Sequence, residues 1–251
     1  MVRTRVIPCL LWKDGGLYKS VKFKKLTYVG DPINAIKIFN EKEVDELIIL
    51  DIDASKEKRE PNYELIRQVA SECFMPLGYG GGVNSLDHIQ KLLSLGVEKI
   101  VVQTAAVRNK EFIREATNRF GSSTIVVSID YKSNLFGKNR VTGLKGQLTT
   151  SVSPEEFAKE MEEMGAGEII LQSIDRDGTF SGYDLDTIRK VVQSVSIPVV
   201  CLGGAGDLKD IANAIQAGVS GAAAGSIFVF QKPHRAVLIS YPTGKEWDAV
   251  V

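Results

Sequence analysis

The sequence is poor in the residues on which much enzyme chemistry depends. Histidine occurs twice, at His88 and His234. That excludes a metal centre built from several imidazoles and disfavours a nucleophile–histidine–aspartate relay. Cysteine occurs three times, at Cys9, Cys73 and Cys201. Their spacing fits no metal motif, and an odd number of scattered thiols points to a reducing, cytoplasmic setting rather than a disulfide framework. No metal and no cofactor is expected. No apolar run approaches the roughly 18 residues a membrane-spanning helix needs. The stretch from Met1 to Arg5 leads into a strand-like run without the apolar segment of a secretion signal. Charge of one sign is lacking too. Lys+Arg and Asp+Glu stand at 31 each, so there is no electrostatic case for nucleic acid or an anionic membrane surface.

What is present is glycine, 23 residues of it in a chain of 251, and an internal echo. Ser173-Ile174-Asp175-Arg176-Asp177-Gly178-Thr179 follows the apolar run Ile169 to Leu171. Leu50-Asp51-Ile52-Asp53-Ala54-Ser55 follows Leu47 to Ile49, about half a chain earlier. Gly80-Gly81-Gly82 is answered by Gly203-Gly204-Ala205-Gly206, and Thr104-Ala105-Ala106-Val107 by Ser226-Ile227-Phe228. A repeat at half the chain length implies two similar halves. Short apolar runs without alternation read as buried parallel strands near Val6–Leu11, Leu47–Ile52, Met75–Tyr79, Ile100–Gln103, Ile125–Asp130, Ile169–Ser173, Val199–Leu202 and Ala222–Gly225. Helical periods lie between them: Pro32–Val44 after the cap Asp31, then Ser85–Leu95, Lys110–Phe120, Ser153–Met164 with its Ser-Pro-Glu-Glu cap, and Leu208–Gln216. Gly96, Gly121, Gly165 and Gly218 close helices. Strands alternating with helices, in a chain of this length, predict one α/β domain over 1–251: a (β/α)8 TIM barrel with a two-fold half-barrel repeat. A doubly wound open sheet is the alternative; the repeat favours closure. Trp12–Gly30 and Tyr131–Val152 read as long loops on the face where the strands end, the second as a possible β-ribbon. Ala236 to Pro242 looks more like a strand than a final helix.

Three sets of residues carry chemistry. The glycine loops let backbone N–H groups approach an anion closely. With Gln103-Thr104 and Gly225-Ser226 at helix starts, they read as two phosphate cradles, one per half, against the alternative of ordinary tight turns. Asp51, Asp53, Asp130, Asp175 and Asp177 fall at strand ends. Asp130 closes the apolar run from Ile125, where burial would raise its pKa and suit it to proton transfer; the alternative is a loop cap. Arg5, Glu46, Lys99 and Glu168 each stand just before a strand, at the opposite face. Their charges could meet in a ring at the barrel floor, although charges at that face usually serve stability or solvation.

Across nearly the whole chain these stretches resemble the cyclase subunit of imidazole glycerol phosphate synthase (HisF). The matching segments include R-V-I-P-C-L, D-E-L-I-I-L-D-I-D-A-S, G-G-G-V, G-A-G-E-I-I-L, S-I-D-R-D-G-T, S-G-Y-D-L and G-G-A-G. The resemblance implies a barrel that binds a bis-phosphorylated ribonucleotide. It also implies a HisH-like glutaminase subunit docked at the barrel bottom, and ammonia passing through the barrel. It assigns Arg5, Glu46, Lys99 and Glu168 to a charged ammonia gate, and phosphate contacts to Gly81, Gly82, Thr104, Asp177, Gly178, Gly204, Gly225 and Ser226. It makes Asp130 one of two catalytic aspartates and Lys19 a lysine of a mobile first loop.

One departure is sharp. The second catalytic aspartate should end strand one, where Cys9-Leu10-Leu11-Trp12-Lys13-Asp14-Gly15 places Leu11. Leucine transfers no proton, and Trp12 beside it is expected to make the mouth bulkier. Gln103 replaces a usual asparagine, and Leu202 a small hydroxyl residue. With H-R-A-V-L-I-S-Y-P near the C-terminus, these features resemble a HisF-like paralogous branch (WbuZ type). There, barrel and glutaminase deliver ammonia to a separate sugar amidotransferase of surface-polysaccharide biosynthesis. Two other readings stay open: the complete cyclase of histidine biosynthesis, with Asp14 or Asp51 in place of the lost acid, and a catalytically silent barrel that only activates the glutaminase.

Overall fold

Eight parallel strands close on themselves. A computed structural model describes residues 4–231, 234–242, 244 and 246; the expectation for Met1 to Arg3 lies outside them. The barrel strands are β1 (Arg5–Lys13), β2 (Leu47–Asp51), β3 (Leu77–Gly80), β4 (Lys99–Val102), β5 (Ile125–Ser133), β6 (Glu168–Ser173), β7 (Val199–Leu202) and β8 (Gly221–Ala224). Each pairs in parallel with its neighbours, and β8 returns to β1 with Arg5 opposite Gly221 and Ile7 opposite Ala223. The open-sheet alternative is thereby excluded.

Among the described residues, seven helices of nine or ten residues pack outside: α1 (Pro32–Glu41), α2 (Tyr63–Glu72), α3 (Leu86–Ser94), α4 (Glu111–Phe120), α5 (Pro154–Glu163), α6 (Leu185–Ser194) and α7 (Leu208–Gln216). Their starts follow local chemistry. The Asp31 carboxylate accepts from the Asn34 amide ahead of Pro32, and Ser153 and Glu156 form a reciprocal capping box on α5. Alternation along the strands divides the core. One set of side chains, including Ile7, Ile48, Val126, Ile170 and Val200, fills the inside of the barrel. The other, much larger set packs between strands and helices.

Three expectations need correction. Trp12–Gly30 is not a loop: β1 runs on to Lys13, and an antiparallel ribbon follows (Gly16–Val21 with Lys24–Gly30). The turn is Asp14-Gly15, both with positive φ (48° and 79°), the pair that a tight hairpin turn selects. The first helix stops at Glu41 rather than Val44, because Lys42 and Glu43 turn the chain. Trp12 does not crowd the mouth. Strand alternation turns it outward into the layer beneath the helices, and Leu11 inward. The stretch Tyr131–Val152 does form a ribbon, with Asn139–Gly143 antiparallel to the end of β5. No eighth long helix lies among the described residues. After the short helix Ser226–Val229, the strand Ala236–Val237 pairs back on Phe230–Gln231. The chain then reaches the floor, where the Tyr241 hydroxyl donates to the Val6 carbonyl at 3.0 Å.

Candidate active site at the barrel mouth

At the ends of the strands the mouth has two neighbouring pockets, a wide part and a narrow part. The wide part is lined by Leu11, Leu50, Gly81, Gly82, Thr104 and Asp130 among others. The narrow part is lined by Lys19, Asp177, Gly178, Gly204, Gly225 and Ser226, with Leu202 in its wall. Leu11 and Gln172 line both. The candidate phosphate residues thus fall into two groups, one per half-barrel, as the repeat requires. The turns are equivalent in detail. Gly81 has φ 116° and packs on the Asp51 carbonyl, while Gly203 has φ 93° and packs on the Ser173 carbonyl. Any side chain there would be strained and would collide with that carbonyl.

Asp130 lies on β5 with its carboxylate turned into the wide part, 8% exposed. Burial pushes its pKa up to about 7. The Ser128 hydroxyl, donating to Oδ1 at 3.0 Å, pulls the other way, and the charge of Asp177 adds to the rise. Near neutral pH such a group can either take or give a proton. Neither of the two acids considered as substitutes at Leu11 is free. Asp14 sits at the ribbon turn, 69% exposed, with Lys13 at 3.1 Å. Asp51 caps the amides of Asp53 and Ala54 and faces Arg59 at 3.3 Å. Gln103 reaches across to the Thr142 carbonyl at 2.6 Å and accepts the Thr104 hydroxyl.

The Asp177 carboxylate holds the first ribbon in place, accepting from the Ser20 hydroxyl at 2.6 Å and the Phe23 amide at 3.2 Å. Lys19, on that ribbon, is buried in the narrow part and donates to the Cys9 carbonyl. Burial pushes its ammonium down from the ordinary lysine range. One arrangement had no signature in the sequence. Asp53 accepts from Lys13 at 2.6 Å and from Lys145 at 2.5 Å, tying the loop after β2 to both ribbons. Burial pushes the Asp53 carboxyl up, but the hydrogen bonds from the two lysines outweigh this and hold it below its ordinary value. Nothing local to Asp53 announces a partner as distant in the chain as Lys145.

At the other end, the four floor residues meet. Arg5 pairs with Glu46 at 2.5 Å and with Glu168, and Lys99 bridges the same two carboxylates at 2.9 and 2.7 Å. The ring alternates in sign. Its carboxylates are buried, and one oxygen, Glu46 Oε1, has no hydrogen-bond partner among the described residues. The inner apolar layer, with Ile7, Ile48 and Ile170, lies between this ring and the mouth. Among the described residues no group of His, Cys, Asp and Glu side chains is arranged to hold a metal ion, and no helix is long and apolar enough to cross a membrane.

A closed (β/α)8 barrel with paired glycine-rich turns at its mouth and a charged ring at its floor defines the class. The profile of the histidine biosynthesis protein family matches residues 5–234. The chain is 53% identical over 249 residues to a protein of Pseudomonas aeruginosa provisionally named imidazole glycerol phosphate synthase subunit hisF2, covering 99% of each. It is 48% identical to a Leptospira borgpetersenii protein provisionally named imidazole glycerol phosphate synthase subunit HisF, covering 100% of this chain and 99% of that protein. It is 49% identical to a Vibrio vulnificus protein with the provisional name subunit hisF3, covering 98% and 95%. The chain belongs to the histidine biosynthesis protein family, as a HisF-like barrel.

Proposed function

We propose that this barrel is the synthase subunit of a cytoplasmic glutamine amidotransferase that has given up imidazole ring closure. In this reading a HisH-like glutaminase docks at the floor and releases ammonia against the ring of Arg5, Glu46, Lys99 and Glu168. The barrel conducts the ammonia to the mouth, and a separate sugar amidotransferase of surface-polysaccharide biosynthesis consumes it. The mouth keeps its cradles for a phosphorylated small molecule.

The observation that carries the reading is Leu11. It faces the mouth cavity shared with Asp130, where paired proton transfer calls for a second acid. Each properly placed acid or base contributes about 10²–10⁴-fold. Asp14 stands at the ribbon turn against Lys13, and Asp51 is engaged with Arg59, which supports reading the position as unreplaced. Asp130 alone, half-ionised near pH 7, supplies one of the two transfers.

The test is ammonia-dependent turnover of the bis-phosphorylated ribonucleotide of the histidine pathway, by the parent chain and by Leu11→Asp. The expected result is no turnover by the parent and measurable turnover by the variant. Robust turnover by the parent would restore the cyclase of histidine biosynthesis as the function.

A further inference from the structure

Large apolar side chains are unevenly displayed on this molecule. Leu26 and Tyr28 are exposed on the ribbon after β1, and Leu135, Phe136 and Leu148 on the ribbon after β5. Among the described residues only Phe74, Val237 and Leu238 match them elsewhere. β1 and β5 lie half a ring apart, so the two ribbons rise on opposite sides of the mouth. Both wall the wide pocket, through Phe23 and Leu26 on one side and Leu144 and Lys145 on the other. Charge is segregated in the same way. The chain balances 31 cations with 31 anions, yet it has no Asp or Glu from Gly15 to Gly30 or from Tyr131 to Thr150, and four Lys or Arg in each stretch. Lys22, Lys24, Lys25 and Lys138 are exposed and have no ion pair among the described residues. The acids near the ribbons are engaged: Asp53 with Lys13 and Lys145, Asp175 with the Ser133 amide at 2.8 Å, and Asp177 with the Ser20 hydroxyl. The apolar tip is held out by its own turn. Asn134 Oδ1 accepts from the amides of Phe136 and Lys138 at 2.9 and 3.0 Å, and the Gly137 amide donates to the Asn134 carbonyl at 3.0 Å. Phe136 is 87% exposed on this hydrogen-bonded turn, so burying it against a partner needs little further ordering of the backbone.

Lysines on an open edge strand also discourage pairing with other chains, but that use asks for no apolar side chains beside them. Apolar anchors next to exposed charge of one sign mark an interaction surface. Its sign disfavours mouth-to-mouth pairing of two copies, which would set the same lysines against each other. Its position selects among the remaining partners. Ammonia that emerges into water is protonated and diffuses away, and it crosses a lipid bilayer freely, so a mouth that supplies ammonia needs a protein sealed over it. We propose that the two ribbons are the docking frame for the enzyme that consumes the ammonia. The entrance of that enzyme presents acidic side chains to Lys22, Lys24, Lys25 and Lys138, and an apolar recess to Leu135 and Phe136. The inference rests on reading the barrel as supplying ammonia to a separate enzyme.

The test takes the full chain in complex with its glutaminase and measures binding of the purified sugar amidotransferase of the same organism, together with amidation fed by glutamine or by ammonium. Leu135→Ser with Phe136→Ser should weaken binding by about tenfold or more, as loss of a buried apolar anchor does. Lys24→Glu with Lys138→Glu should slow association by about tenfold at low salt and by much less at high salt. Both variants should hydrolyse glutamine like the parent and leave ammonium-fed amidation unchanged, while glutamine-fed amidation falls. Parental binding and parental glutamine-fed amidation in both variants, each with parental circular dichroism, would overturn the docking frame and leave the proposed function standing. If the apolar variant fails to fold, the charge variant decides. An amidotransferase that the parent complex cannot feed from glutamine, although ammonium feeds it, would overturn the proposed function and this inference with it. Vesicles of phosphatidylglycerol and phosphatidylcholine, or a duplex oligonucleotide, that bind the parent chain but not these variants would overturn the proposal in favour of a membrane or a nucleic acid.

Discussion

At the scale of single residues, Asp130 shows how a strand end becomes a chemical group. Its carboxylate is buried and its pKa is raised to about 7, against an ordinary value near 4. Between those two pH values the unfolded chain releases this proton while the folded chain keeps it. The unfolded state therefore binds fewer protons, and the contribution of Asp130 to stability falls as pH rises through the window, then stays flat above about pH 7. Asp130→Asn keeps an acceptor for Ser128 and removes the titration. Its melting temperature should match the parent near pH 4 and exceed it near pH 8, with a ceiling of about 4 kcal/mol from three pKa units. Parallel melting curves across that range would show that Asp130 is hydrated and ionised in the fold. The position of Asp130 was legible, because a carboxylate closing the largely apolar run Ile125–Ile129 of a parallel strand must face the mouth or open the loop. The strand-end aspartates were less so. Asp51, Asp53 and Asp177 look alike in sequence, yet Arg59, the two lysines and the first ribbon commit each to a different task.

At the scale of elements, local chemistry was readable wherever a cap or a turn wrote it. Ser153-Pro154-Glu155-Glu156 announces α5, and the structure contains the reciprocal hydrogen bonds, 3.3 Å from the Glu156 amide to Ser153 Oγ and 3.0 Å from the Ser153 amide to Glu156. Ser153→Ala should lower stability by about 1 kcal/mol, read as a shift in denaturant midpoint with unchanged slope. A silent substitution would mean that packing against β5 fixes the start of this helix without the cap. The elements that went unread had signals of the same kind. Helices α2 and α6 begin at Asn62 and Asp184, whose side chains accept from the amides of Leu65 and Thr187. The ribbon after β1 turns on Asp14-Gly15. The two helices were therefore readable from their caps and from their buried faces, Ile66 and Val69 on α2 and Ile188 and Val191 on α6; the ribbon was masked by the polar Lys-rich strand Lys24–Gly30, whose first five residues are exposed. Exposed ribbon strands lack the apolar alternation by which buried strands are recognised.

At the scale of the whole molecule, the half-chain echo foretold closure, because two four-stranded halves make one ring. What it could not foretell is how the two ends of that ring are finished. The cradles follow the repeat and the floor follows it only in its acids: Glu46 before β2 and Glu168 on β6 are repeat equivalents, while the cations on β1 and β4 have no counterpart, and each cation touches both carboxylates. Such a ring is satisfied only when complete. Lys99→Ala leaves Arg5 alone between Glu46 and Glu168, and Glu46 already has an oxygen without a partner among the described residues. Because Arg5 remains and the Lys99 side chain is 21% exposed, the stability cost should stay near 1–2 kcal/mol, about half that of orphaning a fully buried charge. The larger effect should be functional if the ring controls entry to the barrel. In the complex with its glutaminase, Lys99→Ala should continue to hydrolyse glutamine while less of the nitrogen reaches the acceptor and more appears as free ammonium. The ratio of aminated product to glutamate measures this directly. An unchanged ratio in a folded variant would make the ring a structural seal, and entry of ammonia would have to be sought elsewhere in the barrel wall.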